Sequence, residues 1–302
     1  MMGKEIVSGS LSSEQAGDSD SREMVRKGIR RLLRDPLSVF GMAILVVVVL
    51  TAIFGPSLAR YEPVGMFPKE RFLAPDNQYW MGTDHLGRDV FTRVVYGTRI
   101  SLLVAIGVSS LSAIIGLILG GVAGFIGGWV DEGLMRITDI FQSFPWLIFA
   151  MAIALVIGAN LVNTMLSLAF IWWPGYARLV RGQILVTKSK EFVLASHALG
   201  ASNLRIFLRH LLPNSMGPLI VLLTIGAGRV ILATSTLSFI GLGAQRPTPE
   251  WGVMVADGRT LLFDAWWICT FPGIAILLTA VGFNLLGDGL RDLLDPMAKV
   301  KG

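Results

Sequence analysis

Few side chains in this sequence are placed to do chemistry, and those few do not converge on a reaction centre. His85, His197 and His210 lie far apart, and the single cysteine, Cys269, sits in an apolar stretch. One cysteine forms no internal disulfide, and no Cys/His cluster has metal-ligand spacing. Asp84, His85 and Asp89 invite a cation reading, but no further ligand adjoins them. Asp84 with Arg88, and Asp89 with Arg93, read instead as exposed pairs on a short surface helix. The only Gly-Lys pair is Gly3-Lys4, so no G-x-x-x-x-G-K-[ST] loop is present to cradle nucleotide phosphates.

Three polar residues are different, because they fall in or at the edge of strongly apolar runs: Arg229, Asp139 and Gln142. Such groups are costly in lipid and face a partner, an ion pair or an aqueous cavity. Arg229 reads either as a pathway-lining group or as a paired or snorkelling side chain. Asp139 and Gln142 read either as pathway groups or as boundary residues. A hydrolase would need a nucleophile facing a base, or a set of metal ligands. The apolar runs hold Ser and Thr but no His or Glu, and an aspartyl pair would require Asp139 and Asp288 without any supporting motif. No catalytic or metal-binding residue is assigned.

The elements that must position these groups are membrane helices. Of 302 residues, 53% are hydrophobic and 16% charged, with a mean hydropathy of +0.64. About 25% charged is usual for a soluble domain. A spanning helix needs about 20 apolar residues. Six runs qualify, at roughly 37–59, 100–126, 134–157, 161–182, 214–241 and 267–288. The expected fold is therefore an all-α polytopic membrane protein with six transmembrane helices. Residues 1–36 form a polar tail, Ser-rich and then basic at Arg26, Lys27, Arg30, Arg31 and Arg34. The early part reads as disordered, the later part as a basic amphipathic helix on a membrane surface. The polar tail is too long for a signal peptide, so the first run reads as an uncleaved span. Residues 37–99 hold that span and an outer loop, 100–290 the core, and 291–302 a second tail.

Small residues mark the packing faces. Gly116, Gly120, Gly121 and Gly124, then Gly226 and Gly228, then Gly282 and Gly287, let helix backbones approach closely. The first span is Val/Leu/Ile-rich and reads as facing lipid. Pro145 and Pro174 are candidate kinks, and Asn284 and Asp288 read as structural. With the N-terminus inside, inner segments carry 17 Lys/Arg and outer segments eight. The excess predicts both termini in the cytoplasm and accounts for the +5 net charge without nucleic acid. The outer segment near Pro247, Pro249, Glu250, Trp251 and Asp257 reads as a docking or capping loop, or as an aromatic interface anchor. No clear internal repeat supports a stand-alone ion-coupled transporter.

One inner segment, about 186–213, remains to be explained. "EFVLASHALGASNLRIFLRHLLPN" (Glu191–Asn214) is polar enough to leave the membrane. Phe192, Ala195 and Leu199 recur at helical spacing, Gly200 is a natural stop, and Ser202 can cap a second helix. Leu204, Phe207, Leu208, Leu211 and Leu212 are expected on one apolar face, with Arg205 and Arg209 beside it. Pro213 is expected to end this element and begin the next span. Pattern alone leaves two readings: a helix lying on lipid headgroups, or an element that docks in a groove of another protein.

Ala195-Ser196-x-x-x-Gly200, followed by Leu212-Pro213, resembles the cytoplasmic EAA loop of ABC importer permeases. Leu194 stands at the Glu place of that pattern, Ser196 at the second Ala and His210 at the Ile. "LGASNLRIFLRHLLPN", "RDPLSVFG", "WMGTDHLGRDVFTRVVYGTRISLLVA" and "STLSFIGLGAQRPTPEWGVMV" resemble the dipeptide/oligopeptide subfamily, over roughly residues 30–296. The likeness is to its second (C-type) permease subunit. It implies a type I ABC importer permease fold and a multi-pass protein of a bacterial-type inner membrane. It further implies a heterodimer with a related permease and two ATPase subunits that bind ATP and Mg, with no cofactor in this chain. A solute-binding protein outside would deliver di- or oligopeptides or another solute such as a nickel chelate. The loop would carry the coupling helix, with Ala195, Ser196, His197, Leu199, Gly200, Ala201, Leu204 and Arg205 meeting the ATPase.

Overall fold

The computed structural model describes residue 30 and residues 32–294. The expectations for the Ser-rich and basic tail before residue 30, and for the end of the second tail, lie outside the described residues. The described residues hold helices, turns and loops, with no strand beyond an isolated bridge between Thr83 and Asp89. The helices are α1 (Pro36–Leu58), α2 (Val90–Ile126), α3 (Gly128–Ser143), α4 (Trp146–Ile157), α5 (Leu161–Lys188), α6 (Glu191–Ala198), α7 (Asn203–Phe239), α8 (Trp251–Gly258) and α9 (Trp267–Leu294).

Four of these, α1, α2, α7 and α9, are long and apolar enough to cross a membrane. The bent pair α3–α4 gives a fifth if it is counted as one span. The expectation of six is thus not met on length and composition. The expected third span at 134–157 is two helices meeting at 91°, because Phe144 and Pro145 interrupt the ladder. The expected fourth lies in α5, which is long enough, but Asn163, Pro174, Arg178 and Arg181 dilute its apolar content. Pro174 does not break α5.

The helix α2 is the axis of the molecule. Its glycines fit the expected close approach: a Cβ at Gly120 would lie 2.2 Å from the Ala177 carbonyl oxygen, and one at Gly116 would lie 2.4 Å from the Tyr176 Cβ. Backbone therefore meets backbone where α2 crosses α5. Helix α1 lies against α9, with Gly41 under Leu285 and Gly282 under Leu45. Gly55 meets Val95 of α2, while the side of α1 that carries Val46, Val47, Leu50 and Phe54 is exposed. Pro56 interrupts α1, and a proline has no N–H to bond the carbonyl four residues back. Arg99 of α2 supplies that donor: its Nε bonds the Ala52 carbonyl and an Nη bonds Ile53 at 3.0 Å.

At one end of α2, residues 60–89 and 242–266 form a packed cap. Asp89 accepts the Thr92 N–H at 2.8 Å and so caps α2, instead of pairing with Arg93. Asp84, Arg88, Asp89 and Arg93 are all at most 5% exposed, which overturns the expected exposed pairs. They are buried because the cap folds over them. Asp84 bonds Arg88 at 2.6 Å, and Arg88 lies 3.5 Å from Asp257. Arg93 donates to the carbonyls of Pro63 and Pro247, at 3.0 and 3.3 Å. Trp251 is 1% exposed and donates to the Val94 carbonyl at 2.9 Å, so it is a core anchor and no membrane-interface residue. Trp267 likewise donates to Thr83 at 3.0 Å.

Candidate functional site

Two features stand out at the other end of α2 and midway along it. The first is an elbow made by α6 and the start of α7. Helix α6 ends in a paired turn: the Gly200 N–H bonds the His197 carbonyl at 3.0 Å and the Ala201 N–H bonds Ser196 at 3.1 Å. This closure needs a left-handed residue after the helix, and Gly200 has φ +81°. Nothing lies within 4 Å of where a Cβ would point, so the requirement is conformational and not steric. Ser202 caps α7 by accepting the Arg205 N–H at 3.4 Å, as expected.

Helix α7 does not stop at Pro213. It runs unbroken from Asn203 to Phe239, through a π-turn at Phe207–Leu211. The π-turn re-phases the side chains, and the apolar face differs from the one expected. Ile206 and Leu211 are buried, while Leu204 and Leu208 are exposed. Val193 of α6, with Ile206 and Leu211, packs on Val180 and Ile184 of α5. The Phe207 ring meets Phe125 at the end of α2, 5.0 Å between centroids. His210 stacks edge-on against Phe192 and joins the two arms. The opposite face carries Leu194, Leu199, Leu204 and Leu208, all exposed, Leu199 at 89%. Ala195, His197 and Arg205 are exposed as well, with Ser196 and Ala201 half-buried.

The elbow thus has two apolar faces. One is fixed to α5 and α2. The other is open, beside a recess of about 420 Å³ lined by Ser196, Gly200, Ala201, Arg205, Arg209 and His210. Helix α7 is continuous over 37 residues, so the elbow and the cavity-lining part of α7 belong to one helix.

The second feature is a cavity of about 650 Å³ between α3, α4, α5 and α7. Phe141, Phe144, Trp146, Trp172 and Tyr176 give it aromatic walls, and Gln142, Arg229 and Thr236 its polar points. The structure therefore brings Gln142 and Arg229 to one space, although they lie far apart in sequence. Asp139 is beside it, bonded to Arg178, whose other Nη donates to Gln142 at 2.6 Å. Arg181 grips Asp131 at 2.6 Å, so two arginines of α5 hold α3 in place. Sequence reasoning missed Arg178 and Arg181 as positioning groups, because their acids lie some 40 to 50 positions away. It also missed the aromatic walls, which come from three different helices. Gly226 borders the same space: a Cβ there would lie 2.3 Å from the Tyr176 hydroxyl. Asn284 bonds its own helix at the Ala280 carbonyl, a structural role.

An all-helical bundle of apolar helices with a recessed cavity and a protruding elbow is an architecture suited to a membrane transport component. The description "Binding-protein-dependent transport system inner membrane component" matches residues 112–300, and the chain belongs to that family. Residues 24–75 match the N-terminal transmembrane domain of oligopeptide transport permease C. The chain is similar to the probable D,D-dipeptide transport system permease protein of Escherichia coli (strain K12), 48% identical over 87% of this chain and 88% of the relative. It is similar to the dipeptide transport system permease protein of Alkalihalophilus pseudofirmus, 42% identical over 91% and 90%. A glutathione transport system permease protein of Escherichia coli O6:K15:H31 is 40% identical over 90% of each chain. The protein is a transport permease of a type I ABC importer, multi-pass in the inner membrane.

Proposed function

We propose that this chain is one of two related permeases of an ATP-driven peptide importer, with its elbow as the coupling element. Two separate ATPase subunits bind ATP and Mg and receive the open face of the elbow. A solute-binding protein delivers cargo to the capped end of α2. Both termini and the elbow lie in the cytoplasm. Ala195, Ser196, His197, Leu199, Gly200, Ala201, Leu204 and Arg205 meet the ATPase. Gln142 and Arg229 line the cargo pathway, and Asp139 supports it through Arg178. The division stays that of tail, first span with outer loop, core and second tail.

The observation that carries this reading is the two-faced elbow. A helix that only rests on headgroups needs one apolar face, and this element has a second, occupied by α5 and α2. Exposed leucines beside an arginine offer a partner buried apolar area, about 25 cal/mol per Å² before association costs. The relatives' names support peptide cargo, since they speak of dipeptides and of glutathione.

The test is reconstitution of the chain with its second permease, ATPases and binding protein in proteoliposomes. A side chain at Gly200 must hold a left-handed φ, at about 1–2 kcal/mol. Gly200→Val is expected to leave assembly intact while import per ATP hydrolysed falls. Unchanged coupling in an assembled Gly200→Val complex would refute the elbow's role.

A further inference from the structure

Among the described residues, Arg229 is the one charged side chain lining the 650 Å³ cavity, and no carboxylate lines it. The nearest acid of the α3 wall, Asp139, is bonded to Arg178, and so is Gln142. Arg229 has no ion pair among the described residues. It is exposed on α7, yet it lies in the body of an apolar helix, ten residues before its end at Phe239. An arginine within an apolar span faces a bundle interior or an aqueous cavity and pairs there with an anion or with carbonyl oxygens. Guanidinium recognises carboxylate through parallel N–H···O bonds. The aromatic walls supply what apolar side chains, or an ammonium, rest against. The volume lies within the range of about 300–1,000 Å³ typical of small-molecule sites.

We infer that Arg229 is a substrate-binding residue that receives the C-terminal carboxylate of the peptide during passage, making the permease itself selective for a free carboxylate. The inference rests on the peptide-cargo reading above. Gly226, less than one turn earlier on α7, leaves room for Tyr176, which walls the same cavity. Arg178 acts differently: by taking Asp139 and Gln142 it keeps the α3 acid away from Arg229 and so leaves the cation free for cargo.

The experiment compares import of dialanine and alanyl-alaninamide by the complete complex, each at a concentration that saturates the binding protein. Import is normalised to ATP hydrolysed, which corrects for delivery. Wild type is expected to import dialanine roughly tenfold better per ATP than the amide, the loss expected for one charged hydrogen-bonded contact. Arg229→Gln should reduce dialanine to the level of the amide, and Arg229→Lys should restore part of the difference. Equal import of acid and amide by wild type overturns the proposal. So does a preference that persists in Arg229→Gln. Loss of permease co-purification in Arg229→Gln, together with equal handling of acid and amide by wild type, would make Arg229 an ion-pair partner across the permease interface. Failure of wild type to import either compound would sink the cargo reading, and this inference with it.

Discussion

At the scale of single residues, charge burial at the cap is the strongest constraint. Asp84 and Asp257 face Arg88 and Arg93, with all four side chains buried. Removing one partner strands the others, at about 3–5 kcal/mol. Asp84→Asn is therefore expected to lower the thermal midpoint of the purified complex markedly. Arg246, which also bonds Asp257, is 67% exposed, and Arg246→Gln should cost under about 1 kcal/mol. Equal effects of the two substitutions would contradict this account. Glu250 adds a pH dependence. Burial holds its carboxyl above the ordinary carboxylate range, although it caps α8 by accepting the Val253 N–H at 3.0 Å. The folded state then binds the proton more tightly than the unfolded one. Stability falls as pH rises from the ordinary range through the raised value, and is flat above it. Glu250→Gln keeps an acceptor for the cap and should remove that slope in melts across acidic pH. The acids were plain in the sequence. Their burial was not, because an i,i+4 pair looks the same whether a loop covers it or water does.

At the scale of elements, the small-residue stripe of α2 was legible and its partner was not. Gly120 meets the Ala177 backbone, which only the crossing of α2 and α5 brings near. Gly120→Val is expected to force the helices apart, at about 1–3 kcal/mol or more, and to reduce the yield of folded protein. Gly133 has nothing within 4 Å, so Gly133→Ala should be neutral or slightly stabilising by the same assay. The elbow was half legible. Gly200 and Ser202 announced a stop and a start, because both are local backbone requirements. The π-turn at Phe207–Leu211 left no signature, and the face predicted from a 3.6-residue period holds only in part: Phe207, Leu211 and Leu212 turn inward, whereas Leu204 and Leu208 are exposed. Pro213 misled for a related reason: it lies ten residues into α7, just after the π-turn, where the regular hydrogen-bond ladder is already displaced.

At the scale of the whole molecule, the elbow and the cap lie at opposite ends of α2, so the proposed topology places them on opposite sides of the membrane. In a Cys269→Ala background, a cysteine at His197 should react with an impermeant maleimide only from the cytoplasmic side. One at Phe263, which is fully exposed, should react only from outside. Labelling of both from one side would invert or abolish the model of coupling. The sequence alone determined that the chain is built of membrane-spanning helices, that α1 is apolar nearly throughout, that α2 packs through its glycines and that a polar helical element bends at Gly200. These follow from composition, period and backbone conformation, which are properties of neighbours along the chain. Only the tertiary structure decided that the third expected span is bent by 91°, that Arg178 and Arg181 hold α3, and that Gln142 and Arg229 share one cavity. Those depend on pairs that are distant in sequence and meet only when the helices cross, and a one-dimensional pattern carries no record of which surfaces will meet.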